Sequence, residues 1–318
     1  MDGSDPRHFT RRRRVNDRRF LVVSHGTRRA ALEATIEVCT QLTAAGATPV
    51  IAGEQWDELH EVEPELNGNA RRLEEVDPSG IELVIVLGGD GTILRAAELM
   101  RDHPSVPLFG VNLGHVGFLA ESERDDLGYT VQRALARDYR VEERMTIEVR
   151  VFQHAAVVYE GWALNDVTVE KAERERMLEV VIEVDRRPLS SFGCDGVVMS
   201  TPTGSTAYSF SAGGPVVWPS VEALLLVPLS AHALFARPIV VGPESSLVVE
   251  IVPRTEAAAV IWCDGRRAFD LEPGARVVVR RSPVPVRLAR LHEAPFTDRL
   301  VNKFQLPVTG WRGPIARD

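Results

Sequence analysis

Ile81-Glu82-Leu83-Val84-Ile85-Val86-Leu87-Gly88-Gly89-Asp90-Gly91-Thr92 is the stretch on which the fold of this chain turns. Seven residues carry a single charge, and an almost unbroken apolar run of that length predicts a strand covered on both faces, as in a parallel sheet. Glycines end the run. Ile93, Ala97 and Met100 then fall on one side of a helix. Upstream, Phe20 to Val23 reads as a short strand, Leu32, Ile36, Cys39 and Leu42 recur at helical spacing, and a second strand lies around Pro49 to Ala52. Downstream, Val106 to Val111 reads as another strand. This alternation of β and α predicts an α/β domain with a parallel open sheet.

The pattern changes near Val141. Ile147, Val149 and Val151 alternate with charged neighbours, as do Leu178, Val180, Ile182 and Val184, and then Leu247, Val249 and Ile251. Residues 277–281 and 284–291 are β-rich again. A period of two with Gly/Pro turns predicts a β-rich, antiparallel, sandwich-like second domain, with one short helix after Thr203. The expected division is a flexible basic arm over 1–17, an α/β domain over 18–140 and a β domain over 141–290.

The composition narrows the function. With 318 residues, 44% hydrophobic and 26% charged, the chain has enough apolar content for two domains. No run of about 18 apolar residues is present, so no spanning helix is expected. Met1 to Arg19 is polar and arginine-rich, which predicts no secretory signal. Cys39, Cys194 and Cys263 are too few and too far apart for a disulfide framework or a CxxC site, and fit a reducing cytoplasm. A net charge of −8 argues against a nucleic-acid partner. All but two of the 37 basic residues are arginine, and neither Lys171 nor Lys303 follows a glycine, so there is no Walker A loop. A phosphate would have to be held by backbone N–H groups, arginines and a metal.

Four segments carry polar chemistry where a ligand loop belongs. In Gly88-Gly89-Asp90-Gly91-Thr92, a helix N-terminus suits an anion, but a carboxylate there repels one unless a proton transfer or a metal uses it. Asp90 is therefore a general base or a metal ligand, or else it caps its helix. Arg95 either reaches the same anion or lies on the surface. Gly110-Val111-Asn112-Leu113-Gly114-His115-Val116-Gly117-Phe118-Leu119 follows the next strand, at the strand end where open sheets place ligands; His115 reads best as structural. Asn165-Asp166 interrupts an alternating stretch, either to read a base edge and a ribose or as a β-turn. Cys194-Asp195-Gly196, with Ser200 to Pro215, gathers hydroxyls, glycines and Tyr208 at a strand-to-helix turn, as a nucleotide requires. His232 and Asp264-Gly265 read as a core histidine and a hairpin turn.

Together, in this order and over most of the chain, these segments closely resemble the NAD kinase family. GGDGT alone is shared with diacylglycerol and sphingosine kinases, but the Thr201-Pro202-Thr203-Gly204-Ser205-Thr206-Ala207-Tyr208 run and the Asn112 to Leu119 run are not. The resemblance implies phosphorylation of the adenosine ribose 2′-hydroxyl of NAD by ATP, or by inorganic polyphosphate, to give NADP. By it, Asp90 takes the hydroxyl proton, while Gly91 and Arg95 lie at the phosphates and ribose. Asn165 and Asp166 bind adenine and a ribose, and Asp195 the nicotinamide half. Thr206, Ala207, Tyr208, Ser209, Phe210 and Ser211 hold the adenosine part, and Arg176 matches a basic position. It further implies a divalent ion (Mg²⁺ or Mn²⁺), a homodimer or homotetramer, no nucleic-acid or membrane partner, and a C-terminal segment, 291–318, that returns to the first domain. A GGDGT lipid kinase is the alternative, although its Gly-Thr-x-Asn-Asp segment is absent after Val111. A non-catalytic nucleotide-binding module is a further one, against which the intact Asp90 and Asp166 speak.

Overall fold

The computed structural model describes residues 18–25, 29–62, 69–114, 117–120, 122–173, 176–254, 257–291 and 295–308. The arm over 1–17, His115 and residues 309–318 lie outside them.

The first unit runs β1 (Arg19–Ser24), α1 (Arg29–Ala44), β2 (Thr48–Ile51), α2 (Gly53–Val62), β3 (Arg71–Arg72), β4 (Ile81–Leu87), α3 (Asp90–Leu99), β5 (Leu108–Asn112), β6 (Ser122–Glu123), α4 (Leu127–Ala136) and β7 (Arg140–Arg144). Strand β4 is central, parallel to β1 on one side and to β5 on the other. Its residues Leu83 to Leu87 are fully buried, because α1 and α4 cover one face and α3 the other. Each such side chain contributes roughly 1.5–3 kcal/mol by leaving water. The strand's one charge is matched: Arg18 and Arg137 both hydrogen-bond Glu82. Burial alone would raise the Glu82 carboxyl, but these two guanidiniums bring it down to about 2.

The second unit contains β8 (Ile147–Gln153), β9 (Ala156–Ala163), β10 (Asp166–Lys171), β11 (Leu178–Val184), β12 (Arg187–Cys194), β13 (Gly196–Ser200), the short α5 (Tyr208–Ser211), β14 (Leu224–Leu229), β15 (Ile239–Val241), β16 (Leu247–Ile251), β17 (Ala259–Cys263), β18 (Arg267–Leu271) and β19 (Arg276–Arg281). They form two antiparallel six-stranded sheets, β15-β14-β13-β10-β17-β18 and β12-β11-β16-β19-β8-β9. Val149, Val180, Val249 and Val277 of one sheet share a single apolar cluster with Val167, Met199, Leu226 and Ile261 of the other. The alternation seen in the sequence is thus the inner and outer face of a sandwich.

The chain then comes back. Strand β20 (Val286–Arg290) lies parallel to β5 and pairs antiparallel with β7, and α6 (Phe296–Phe304) follows. Both ends of the segment that the sequence reading gave to the β domain, 141–144 and 286–290, are therefore strands of the first sheet. Their composition says strand, but a local pattern does not say which sheet a strand will join. On α6, Phe296 and Phe304 pack on Phe118 of the first unit, and Phe304 also meets Phe210 of the second.

Candidate active site

Asp90 is the first residue of α3. Gly89 occupies the cap position and supplies no side chain, which rules out the reading of Asp90 as the helix cap. Its carboxylate instead reaches across to the next loop, where Oδ2 accepts the Phe118 amide and Oδ1 the Leu119 amide, each at 3.0 Å. Gly117 permits the approach, since a Cβ there would collide with Asp90 Oδ1. Two amides fix the plane of the carboxylate and leave lone pairs on both oxygens for a further donor. Arg95 lies on the same helix with its guanidinium on Glu54 of α2.

Asn165 and Asp166 sit where β9 gives way to β10, and their backbone is clamped from two sides. On one side, the Asp264 carboxylate accepts the amides of Leu164 at 3.0 Å and Asn165 at 2.7 Å, and pairs with Arg267 at 3.0 Å. On the other, the Thr201 hydroxyl donates to the Leu164 carbonyl at 2.6 Å, and the Thr201 amide donates to the Asn165 carbonyl at 2.9 Å. Gly204, whose amide donates to that same hydroxyl at 3.1 Å, abuts the Asn165 carbonyl so closely that a Cβ would overlap it.

Beside this clamp opens a cleft of about 460 Å³ lined by Asn165, Asp166, Glu170, Tyr208, Trp262 and Asp264, among others. It offers an exposed phenol and an indole as flat walls and carboxylates as acceptors. Burial, and then the charges of Asp264 and Glu170, push the Asp166 carboxyl up to about 7. Asp264 is also raised by burial, against the amides and Arg267 that hold it down. Burial raises the Tyr208 phenol, and the charges of Glu170, Asp166 and Asp195 add to the shift. Asp195 is ion-paired with Lys171 at 2.5 Å, and that hydrogen bond lowers its carboxyl.

The structure thus brings Asn165, Asp166, Ala207 and Tyr208 into one cleft, with Asp195 near Tyr208. The other residues singled out from the sequence do not line it. The Thr206 hydroxyl donates to the Thr203 carbonyl, and Ser209 is buried with its hydroxyl unpartnered. Phe210 packs at a tilt on Phe304 and Ser211 is exposed. Arg176 lies 3.7 Å from Glu173. Gly91 and Asp90 stand at the head of α3, whose Ile93 shares an apolar cluster with Leu164, Leu119 and Ala120. The Asp90 loop and the Asn165 clamp are therefore packed on common ground.

Asp264 and Thr201 are the residues whose work the sequence concealed. Asp264-Gly265 does form the tight turn between β17 and β18, with Asp264 at φ 53°. What it holds lies about a hundred residues upstream, and no local pattern signals that. Among the described residues, no group of three or more His, Cys, Asp and Glu side chains could cage a metal ion.

Residues 15–139 match the family model for the ATP-NAD kinase N-terminal domain, and residues 164–291 match that for the ATP-NAD kinase C-terminal domain. The chain is 69% identical to the NAD kinase of Leifsonia xyli subsp. xyli, over 95% of this chain and 99% of that one. It is 55% identical to the NAD kinase of Thermobifida fusca, over 95% and 94% of the two chains. In fold it is similar to yeast NADH kinase in complex with NADH, with a TM-score of 0.81 and 22% identity over 91% of this chain and 87% of that one. With the matched segments spanning both units, this chain belongs to the ATP-NAD kinase family.

Proposed function

We propose that this chain transfers the terminal phosphoryl group of ATP to the 2′-hydroxyl of the adenosine ribose of NAD, giving NADP, with Asp90 as general base. The observation that carries the assignment is the Asp90 carboxylate. Two loop amides hold it at the head of α3, on the same apolar cluster as Leu164, which adjoins the Asn165–Asp166 cleft. A carboxylate in that position takes the hydroxyl proton as the oxygen attacks phosphorus, and phosphoryl transfer otherwise needs positioning more than covalent help. Asn165 reads the base edge. Asp166, part-protonated near neutrality, both donates to and accepts from ribose hydroxyls. Tyr208 lies against a ring, and Asp195 serves the nicotinamide half. A divalent ion would be held chiefly by the phosphates of the donor, as Mg²⁺ is on nucleotides, and would neutralise their charge.

Cys39, Cys194 and Cys263 are buried free thiols, in keeping with a reducing cytoplasm, and no described helix is long and apolar enough to cross a membrane. Use of polyphosphate in place of ATP, and assembly into a homodimer or homotetramer, are part of the proposal. The lipid-kinase reading is not favoured, because the Thr201 to Tyr208 run is built into the Asn165 clamp and the cleft, where a GGDGT motif alone would leave it idle. A donor-by-acceptor activity matrix tests the whole: ATP or polyphosphate against NAD, NADH or diacylglycerol. Turnover of diacylglycerol, or no turnover of NAD with any donor, would overturn it.

A further inference from the structure

A second cleft, of about 600 Å³, shares no lining residue with the one beside Asp166. It is formed where β7, β20, the start of α6 and the segment around Trp218 meet. Among the described residues that line it are Arg140, Arg144, Arg290 and Arg299, with Glu142 as the one carboxylate. Glu142 is shared between two buried guanidiniums. It lies 2.9 Å from Arg144 and 2.7 Å from Arg290, which are only 5% and 6% exposed. Glu82 is shared by two guanidiniums in the same way, but there Arg137 is exposed, whereas here both arginines are buried. Burying a guanidinium is costly unless its charge and its N–H groups are met, and the Arg144 Nε has no partner. Burial, and then the charges of Arg290 and Arg299, lower Arg144 to about 10 despite Glu142. The lining also holds an aromatic pair, with Trp218 edge-on to Phe296 at 5.2 Å.

We propose that this cleft is a regulatory anion site that takes a phosphate monoester bearing a planar ring. The phosphate lies on the arginine forks, which match its geometry, and the ring lies on Trp218 and Phe296. The site has a physical route to the reaction centre. Arg290 donates to the Leu119 carbonyl at 2.8 Å, and Arg299 donates to the carbonyls of Phe118 at 3.2 Å and Ala120 at 2.5 Å. Phe118 and Leu119 are the residues whose amides hold Asp90. An occupant that draws either guanidinium toward itself shifts the loop that aims the carboxylate. This second half rests on the role assigned to Asp90; the binding half does not.

The probe is 2-naphthyl phosphate, titrated by calorimetry into the full chain with NADP and ADP saturating, so that the reacting site is filled. One equivalent is expected to bind, and 2-naphthol, which lacks the phosphate, is not. Val141→Glu sets a carboxylate at the mouth from a half-exposed strand position, and Arg144→Leu removes a buried fork. Each should weaken binding at least about tenfold. In wild type, the probe should change kcat at saturating ATP and NAD at least about twofold, and Val141→Glu should abolish that response. The proposal is overturned by the absence of binding to the product-filled protein, by binding to Val141→Glu as tight as wild type, or by a kcat that ignores bound probe. If Arg144→Leu does not fold, Val141→Glu decides alone. A wild-type protein that binds the probe but makes no NADP would count against the kinase assignment and leave the binding half standing.

Discussion

At the scale of single residues, Asp90 and Asp166 make different predictions because their surroundings differ. Asp90→Asn keeps the side-chain volume but cannot take a proton at neutral pH, so kcat should fall about 10²–10⁴-fold while NAD affinity, measured by calorimetry, stays within a few-fold. Turnover near wild type would remove Asp90 from the proton transfer. Asp166 holds its proton up to about pH 7 in the folded chain, against 3.8 for an ordinary aspartate. Between those values the native state binds more proton than the unfolded one, so its contribution to stability is present at the acid end and lost as pH rises. Asp166→Asn has no charge to bury. Its Tm should exceed that of wild type by a margin that grows from about pH 5 to about pH 8, while its NAD affinity weakens. A margin that stays flat with pH would show that Asp166 is ionised at no cost, and one that shrinks, that the fold favours its ionised form. The chemistry at Asp90 was legible in the sequence because glycines, carboxylate and helix start are contiguous. Asp264 was not, because a residue whose partners lie 98 to 100 positions away leaves only the trace of its own turn.

Among the elements, the strands were readable wherever burial imposes a period: continuous in β4, alternating in β8, β11 and β16. The clamp on β10 was not, because it depends on a contact between loops. Gly204 shows what that contact requires. Its Cα faces the Asn165 carbonyl, a backbone atom that cannot swing aside. Gly204→Ala should push the β9–β10 junction and the Thr201 turn apart. Overpacking of this kind costs typically about 1–3 kcal/mol, and the KM for NAD should rise with it. Denaturant midpoint and KM measured on one preparation check both; an unchanged pair would mean that the turn yields freely. Thr201→Val tests the other jaw. It removes the hydroxyl that donates to the Leu164 carbonyl and accepts the Gly204 amide, which leaves two buried groups unmet at about 1–3 kcal/mol.

For the molecule as a whole, the first seventeen residues are charged and offer little apolar surface to bury. Deleting 1–16 should leave kcat/KM within about tenfold, the equivalent of 1.4 kcal/mol in the transition state; a larger loss would mean that the arm closes over the site. The rest of the molecule is less linear than its sequence. Arg144 and Val286 are paired residues on neighbouring antiparallel strands, so their Cα atoms are about 5 Å apart. Topologically, everything between them is the loop of one β-hairpin, and the sandwich is a parenthesis that opens and closes at a single point. An inserted unit whose ends meet can be exchanged without moving the termini of its host. Residues 145–285 replaced by a short Asn-Gly turn should leave a protein in which β7 and β20 still pair. The Leu164 and Trp162 contacts would be lost from the cluster around Ile93, and stability would fall accordingly. Two such halves, mixed, would show whether the kinase can be reassembled from a scaffold that carries the base and an insert that carries the nucleoside cleft.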